Sequence, residues 1–242
     1  MTNSIGPDWC VPAEFPVLAA DEVHVWMAVR PATADAASGF EPLLSPEERD
    51  RAARFHFERD RTAFVAARGR LRQLLGRYLQ SAPEKIQFIT NAHGKPELPA
   101  PAPLQFNLSH SGDLAVFAFT RAGRVGVDVE QARPGVANDA VAERFFAPGE
   151  VKALRALPVA AQAAAFLACW TRKEAFVKAH GAGLSFGLET FEVSVDGPAR
   201  LLHVQGDDVA RWTLHDLPPA AGCTGAVAVA APRCGLRCWR WS

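Results

Sequence analysis

Three carboxylates and one amine carry most of the chemical information in this chain. Asp128 and Glu130 lie two apart in Val125-Gly126-Val127-Asp128-Val129-Glu130. On a strand, that spacing sends both carboxylates to one face and Val125, Val127 and Val129 to the other. The two Cα atoms are then roughly 6.6 Å apart, close enough for the side chains to share one cation. Like charges held this close are unfavourable unless a metal or a base stands between them. Glu174 is four residues after Trp170 and three before Val177, on a helical stripe that should be apolar. A carboxylate there is costly unless a cation compensates it, and Lys178 follows one turn later on the same side. Three oxygen donors with no His or Cys nearby select a hard ion, Mg²⁺ or Mn²⁺. Such an ion is commonly paired with phosphate. Candidate phosphate contacts are Lys95, the Ser109-His110-Ser111 loop, Lys173, Lys178 and Arg51. The plain alternatives are a solvated Glu–Lys pair beside a core tryptophan, an exposed acidic strand end, and a surface lysine in a turn.

The elements that would hold these residues can be read from periodicity. Val23 to Val29 alternates like a strand. Ser45-Pro46-Glu47-Glu48 opens a helix, with Ser45 as N-cap and Glu48 completing a capping box. A second helix is expected from about Asp60 to Leu79. Strands are expected at 86–89, 104–108 and 114–119, with a turn at 91–94 and Ser109 to Gly112 as a tight loop. Val125 to Val129 is the next strand, Pro148 and Glu150 open another helix, and a long helix from Ala160 is stopped by His180-Gly181. Strands at 191–195, 211–214 and 225–230 follow. The first strands, the helix openings, and Arg72 with Glu174 each stand 102 residues apart, which suggests two copies of one unit. The expected architecture is an α+β pseudo-dimer of halves 1–122 and 123–242. Only the second copy has the acidic set, which suggests one active site where the halves meet. The tail with Trp239 and Trp241 has no assigned counterpart.

Composition excludes several classes. The chain has 242 residues, 49% apolar and 21% charged, an ordinary globular composition. Its formal net charge is zero, which disfavours bulk nucleic-acid binding. No apolar run reaches the length of a membrane span and no signal pattern opens the chain, so the cytoplasm is expected. The five cysteines do not read as a disulfide framework.

Five motifs in order carry a resemblance: GKP at 94–96, FNLSHSG at 106–112, VGVDVE at 125–130, RFFAPGE at 144–150 and WTRKEAFVKAHGAGLS at 170–185. Together they resemble the Sfp-type 4′-phosphopantetheinyl transferases, in the branch whose last motif reads W…KEA. The resemblance runs from about Ser45 to Ser185. It implies transfer of the phosphopantetheine arm of coenzyme A to a serine of an apo acyl, polyketide or peptidyl carrier protein, with release of 3′,5′-ADP. It implies that Asp128, Glu130 and Glu174 bind Mg²⁺. By the same carry-over, Lys95, Pro96, Ser109 and His110 hold the nucleotide end, with Arg51 and Lys173 as further contacts. Lys178 neutralises or protonates the leaving phosphate. The serine's proton goes to Glu174 or to a metal-bound water. One departure is visible: where the family often has two basic residues in the helix after Ser45-Pro46, this chain has Glu48 and Arg51. The implied protein is a monomer without membrane or nucleic-acid partners. Two rival readings remain at this stage, a metal-dependent phosphodiesterase and a non-catalytic coenzyme A or carrier-protein binding module.

Overall fold

Alternation along the strands decides the layering. Strand β1 (Glu22–Val29) sends Val23 and Val25 to one side, and His24 and Trp26 to the other. A computed structural model of the chain describes residues 9–31, 33–91, 94–133, 135, 138–181, 183–217 and 222–241. After β1 come the short helix α1 (Ala34–Ser38), then α2 (Pro46–Ala53) and the long α3 (Glu58–Leu79). The short strands β2 (Ile89–Thr90) and β3 (Pro96–Glu97) pair with each other. Strands β4 (Gln105–Ser111) and β5 (Leu114–Thr120) complete an antiparallel run in the order β1, β5, β4. A similar order of elements follows. Strand β6 (Val125–Gln131) precedes α4 (Asp139–Phe145), α5 (Pro148–Ala156) and the long α6 (Val159–His180). Strands β7 (Phe191–Val193) and β8 (Leu201–Val204) pair apart, while β9 (Thr213–Leu217) and β10 (Cys223–Val229) join β6 in the order β6, β10, β9. The tail is strand β11 (Gly235–Arg240), which returns to the first sheet and pairs in parallel with β1. By pairing it belongs with the first half, and its Trp239 and the following Trp241 pack against Trp26.

Each sheet is apolar on both faces, so each is covered twice. Val23, Val25, Val127, Val129 and Val227 form a core between the two sheets. The outer face of the first sheet packs Trp26, Phe117 and Phe119 against Leu71 and Leu75 of α3. The outer face of the second packs Ala226 and Ala228 against Ala175 and Ala179 of α6.

Several expectations shift. Ser109, His110 and Ser111 are strand residues, and the reversal is at Gly112-Asp113. Residues 83–85 form a 3₁₀ turn, and of the expected 86–89 strand only Ile89 pairs. In the 91–94 turn, Ala92 and His93 lie outside the described residues. The 102-residue offset does not carry through the long helices, because α3 spans 58–79 and α6 spans 159–180, 101 residues later at both ends. Lys173, not Glu174, is therefore the counterpart of Arg72. Their side chains agree. Glu48, closing the capping box of α2, accepts from Arg72 Nε at 2.7 Å. Glu150, holding Ala147 N–H at the start of α5, accepts from Lys173 Nζ at 2.6 Å.

Candidate active site

Helix α6 is set against β6 by a glycine. A Cβ at Gly126 would lie 2.1 Å from the Ala175 carbonyl and 2.3 Å from Ala179 N, so any side chain there would push the helix away. That close approach brings the α6-facing side of β6, with Asp128 and Glu130, under the helix. Between Cys169 and Ala179 the half-buried residues are Trp170, Glu174 and Lys178, one turn apart. Phe166, Leu167 and Val177 of the expected apolar stripe are core, while Trp170 is half-buried and forms with Glu174 and Lys178 the open line of the C-terminal part of the helix.

The other wall is β4. Its Asn107 Oδ1 accepts from Val127 N–H at 2.9 Å, and Ser109 and Ser111 donate to Asp128 and Glu130 at 2.8 and 2.9 Å. Side chains, not backbone, therefore bridge the two sheets at this edge. Lys178 Nζ lies 2.6 Å from Asp128 Oδ1 and 3.0 Å from Ser109 Oγ. Asp128 is buried, and its second oxygen has no hydrogen-bond partner. Burial pushes the Glu174 carboxyl above its ordinary range, the charges of Asp128 and Glu130 push it further, and Lys178 opposes them. Asp128, Glu130, Glu174, Lys178, Ser109, His110 and Trp170 line one depression of about 440 Å³.

Among the described residues, the three carboxylates do not converge into a closed metal cluster. The donors nevertheless fit a hard divalent cation. The set is all oxygen, it leaves a buried carboxylate oxygen unsatisfied, and its three carboxylates outnumber the Lys178 ammonium beside them.

The remaining expected contacts divide. His110 points to the opposite side of β4 from Ser109, exposed, and lines both the depression and a neighbouring cleft of about 710 Å³. Arg51 lines that cleft as well, beside Arg68. Pro96 and Lys95 line a cavity of about 540 Å³ on the other side, shared with Glu174 and Lys178. Lys95 Nζ donates to the Lys178 and Val125 carbonyls at 2.8 and 3.1 Å. Lys173 is a correction: it is 0% exposed, bound to Glu150 and to the Phe191 carbonyl, and cannot meet a phosphate. Its position, one residue before Glu174, turns it 100° round the helix into the core. Trp170 and Arg68 were missed as wall residues. The i, i+4 relation of Trp170 to Glu174 was the available signal. For Arg68 there was none beyond a basic run, because its place depends on Glu48, which it contacts at 3.3 Å.

Known proteins give a consistent answer. Residues 124–230 match the profile of the 4′-phosphopantetheinyl transferase superfamily, and residues 29–121 match that of the 4′-phosphopantetheinyl transferase N-terminal region. The chain is 38% identical over 218 residues to the 4′-phosphopantetheinyl transferase HetI of Nostoc sp., covering 88% of this chain and 90% of that one. It is 32% identical over 164 residues to 4′-phosphopantetheinyl transferase Sfp of Bacillus subtilis, covering 68% and 72%. The solved structure of Thermotoga maritima holo-[acyl-carrier-protein] synthase aligns at 22% identity over 46% of this chain and 64% of that one. Its TM-score of 0.36 is too low to bear on the fold. On the strength of the two profiles and these relatives, the chain belongs to the 4′-phosphopantetheinyl transferase superfamily and is of the Sfp type.

Proposed function

We propose that this chain transfers the 4′-phosphopantetheine group of coenzyme A to a serine hydroxyl of an apo carrier protein of fatty-acid, polyketide or peptide synthesis. The product side is adenosine 3′,5′-bisphosphate. Family membership supports the reaction class, and one observation supports the location: Lys178 and three carboxylates share a depression flanked by further cavities on both sides. In this reading the chain is a pseudo-dimer of halves 1–122 and 123–242. One site lies at the β4–β6 edge, and a monomer supplies both walls.

Asp128, Glu130 and Glu174 would hold a divalent cation, Mg²⁺ or Mn²⁺. Bound there, it would supply charge neutralisation for the pyrophosphate. Lys178 gives the second positive charge and meets the bridging oxygen as it becomes the leaving group. Ser109 holds Asp128 and Lys178 in register. The serine oxygen forms a bond to the phosphorus that carries pantetheine, and the bond from that phosphorus to the bridging oxygen breaks. The serine proton would go to Glu174. His110, Arg51, Lys95 and Pro96 lie on the two flanks where the nucleotide end of the coenzyme would rest.

The test is to incubate the protein with Mg²⁺, coenzyme A and apo carrier protein, then read intact mass and nucleotide products. Transfer adds one phosphopantetheine to the carrier and releases adenosine 3′,5′-bisphosphate. Release of free phosphopantetheine without carrier modification would instead mark a phosphodiesterase. Binding without turnover would mark a binding module.

A further inference from the structure

The hairpin of β2 and β3 is tightly specified around one lysine. Lys95 N–H donates to Asn91 Oδ1 at 3.0 Å, Asn91 N–H donates to the Lys95 carbonyl at 3.0 Å, and Gly94 takes φ +81° in the turn. The Lys95 side chain then leaves its own half of the molecule. Its ammonium ends on two carbonyls of the other half, those of Lys178 in the last turn of α6 and Val125 at the start of β6. Carbonyls in a last helical turn lack partners within the helix and carry the negative end of its dipole, so a cation there is favoured. Arg124 does the same at the neighbouring position, donating from Nη1 to the His180 carbonyl at 2.7 Å. The two elements joined by Lys95 are the ones that bear Asp128, Glu130, Glu174 and Lys178.

We propose that Lys95 is a positioning residue of the transfer site, a clamp from the first half that fixes the last turn of α6 to the start of β6. This rests on the transfer reading above. It gives Lys95 a role distinct from contact with the nucleotide. The clamp acts on geometry: Glu174 and Lys178 reach Asp128 only while the helix end stays down on Gly126. Burial of the ammonium, which pushes its pKa down to about 8, fits a structural contact better than a free surface charge. Glu97 opposes that shift, and Arg124 and Lys178 add to it.

The variants are Lys95→Met, which keeps the aliphatic stem and removes every donor, and Lys95→Arg, which keeps the charge. Two readouts are taken: amide hydrogen exchange over residues 174–181 in the free protein, and steady-state kinetics with coenzyme A and apo carrier. For Lys95→Met, exchange in the last turn should rise about tenfold or more. Turnover should fall by on the order of 10²-fold, as expected when reacting groups are misplaced by about 1 Å. The KM for coenzyme A should change less, and Lys95→Arg should recover part of both losses. A raised KM with unchanged exchange and turnover would overturn the proposal and make Lys95 a nucleotide contact. Unchanged values throughout would overturn it as well. Should Lys95→Met fail to fold, Lys95→Gln, which retains one donor group, is read in the same way. Exchange needs no turnover, so a wild-type protein without transfer activity would sink the transfer reading while leaving the clamp readable.

Discussion

The elements from β1 to β5 and those from β6 to β10 follow similar orders and reach opposite ends. Each has an antiparallel run of three strands, a 22-residue helix on its outer face, and a glutamate at the start of the preceding helix that grips a buried cation from the long helix. In the first half the α3-facing side of β1 carries His24, Trp26 and Ala28. Trp26 is stacked on Phe15 at 5.3 Å, touched by Trp241 at 5.4 Å, and donates to Tyr78 Oη at 2.7 Å. The free edge of β1 is taken by β11. In the second half the edge of β6 is hydrogen-bonded to β4 through the side chains of Asn107, Ser109 and Ser111, and the α6-facing side carries Asp128 and Glu130. The helix positions 101 residues before Glu174 and Lys178 are Gln73 and Arg77, and Arg77 lies over the Phe15 ring. Closing one edge with a strand and aromatic packing makes core. Leaving the other to polar side chains keeps a wet, charged recess.

The buried cations test whether the shared part is structural. Removing one partner of such a pair costs about 3–5 kcal/mol, because the other charge stays buried alone. Lys173→Met should therefore lose roughly that much stability in denaturant unfolding, while the molecules that remain folded keep near-normal turnover. A large kinetic defect at unchanged stability would put Lys173 back among the phosphate contacts.

Lys178 tests the part that differs. Lys178→Ala should lower turnover by on the order of 10²-fold, since its charge matters most as the leaving oxygen gains charge. Lys178→Arg should recover part of that loss. Normal turnover in Lys178→Ala would mean that the open line of α6 is surface and not site.

The smallest expected effect is on stability, with a defined sign. The Glu174 carboxyl is raised in the folded protein, chiefly by burial and then by Asp128. The folded state therefore binds its proton more tightly than the unfolded state does. That contribution is present below the unfolded value and is lost as pH rises through the folded value. Without metal or coenzyme, Glu174→Gln should unfold at a temperature a few degrees higher than wild type at neutral pH, and the gain should vanish in acid. A lower unfolding temperature at neutral pH would show that the carboxylate is compensated in the free protein.

Much of this was legible in local sequence. The capping box at Ser45 and Glu48, the stop at Gly181, and the one-face placement of Asp128 and Glu130 follow from short-range rules, and the structure shows each. What was not legible depends on partners far away in the chain. Residues 109–111 read as a loop because two serines and a histidine lack strand propensity, yet pairing with Val116, Ala115 and Leu114 makes them strand. Lys173 reads as a surface cation until Glu150, 23 residues earlier, is seen to hold it. The tail looked unassigned because its partner strand, β1, lies at the other end of the sequence.

The proposed transfer site lies at the β4–β6 edge, with no second site at the equivalent α3-facing side of β1. The most direct measurement is the intact mass of an apo carrier protein after incubation with Mg²⁺, coenzyme A and one of three proteins: wild type, Asp128→Asn, or Trp26→Phe. Trp26 faces α3 from β1 much as Asp128 faces α6 from β6. Wild type and Trp26→Phe should each add one phosphopantetheine to the carrier. Asp128→Asn, folded by circular dichroism, should slow the addition by on the order of 10²-fold or more. A carrier modified as fast by Asp128→Asn as by wild type would contradict the account.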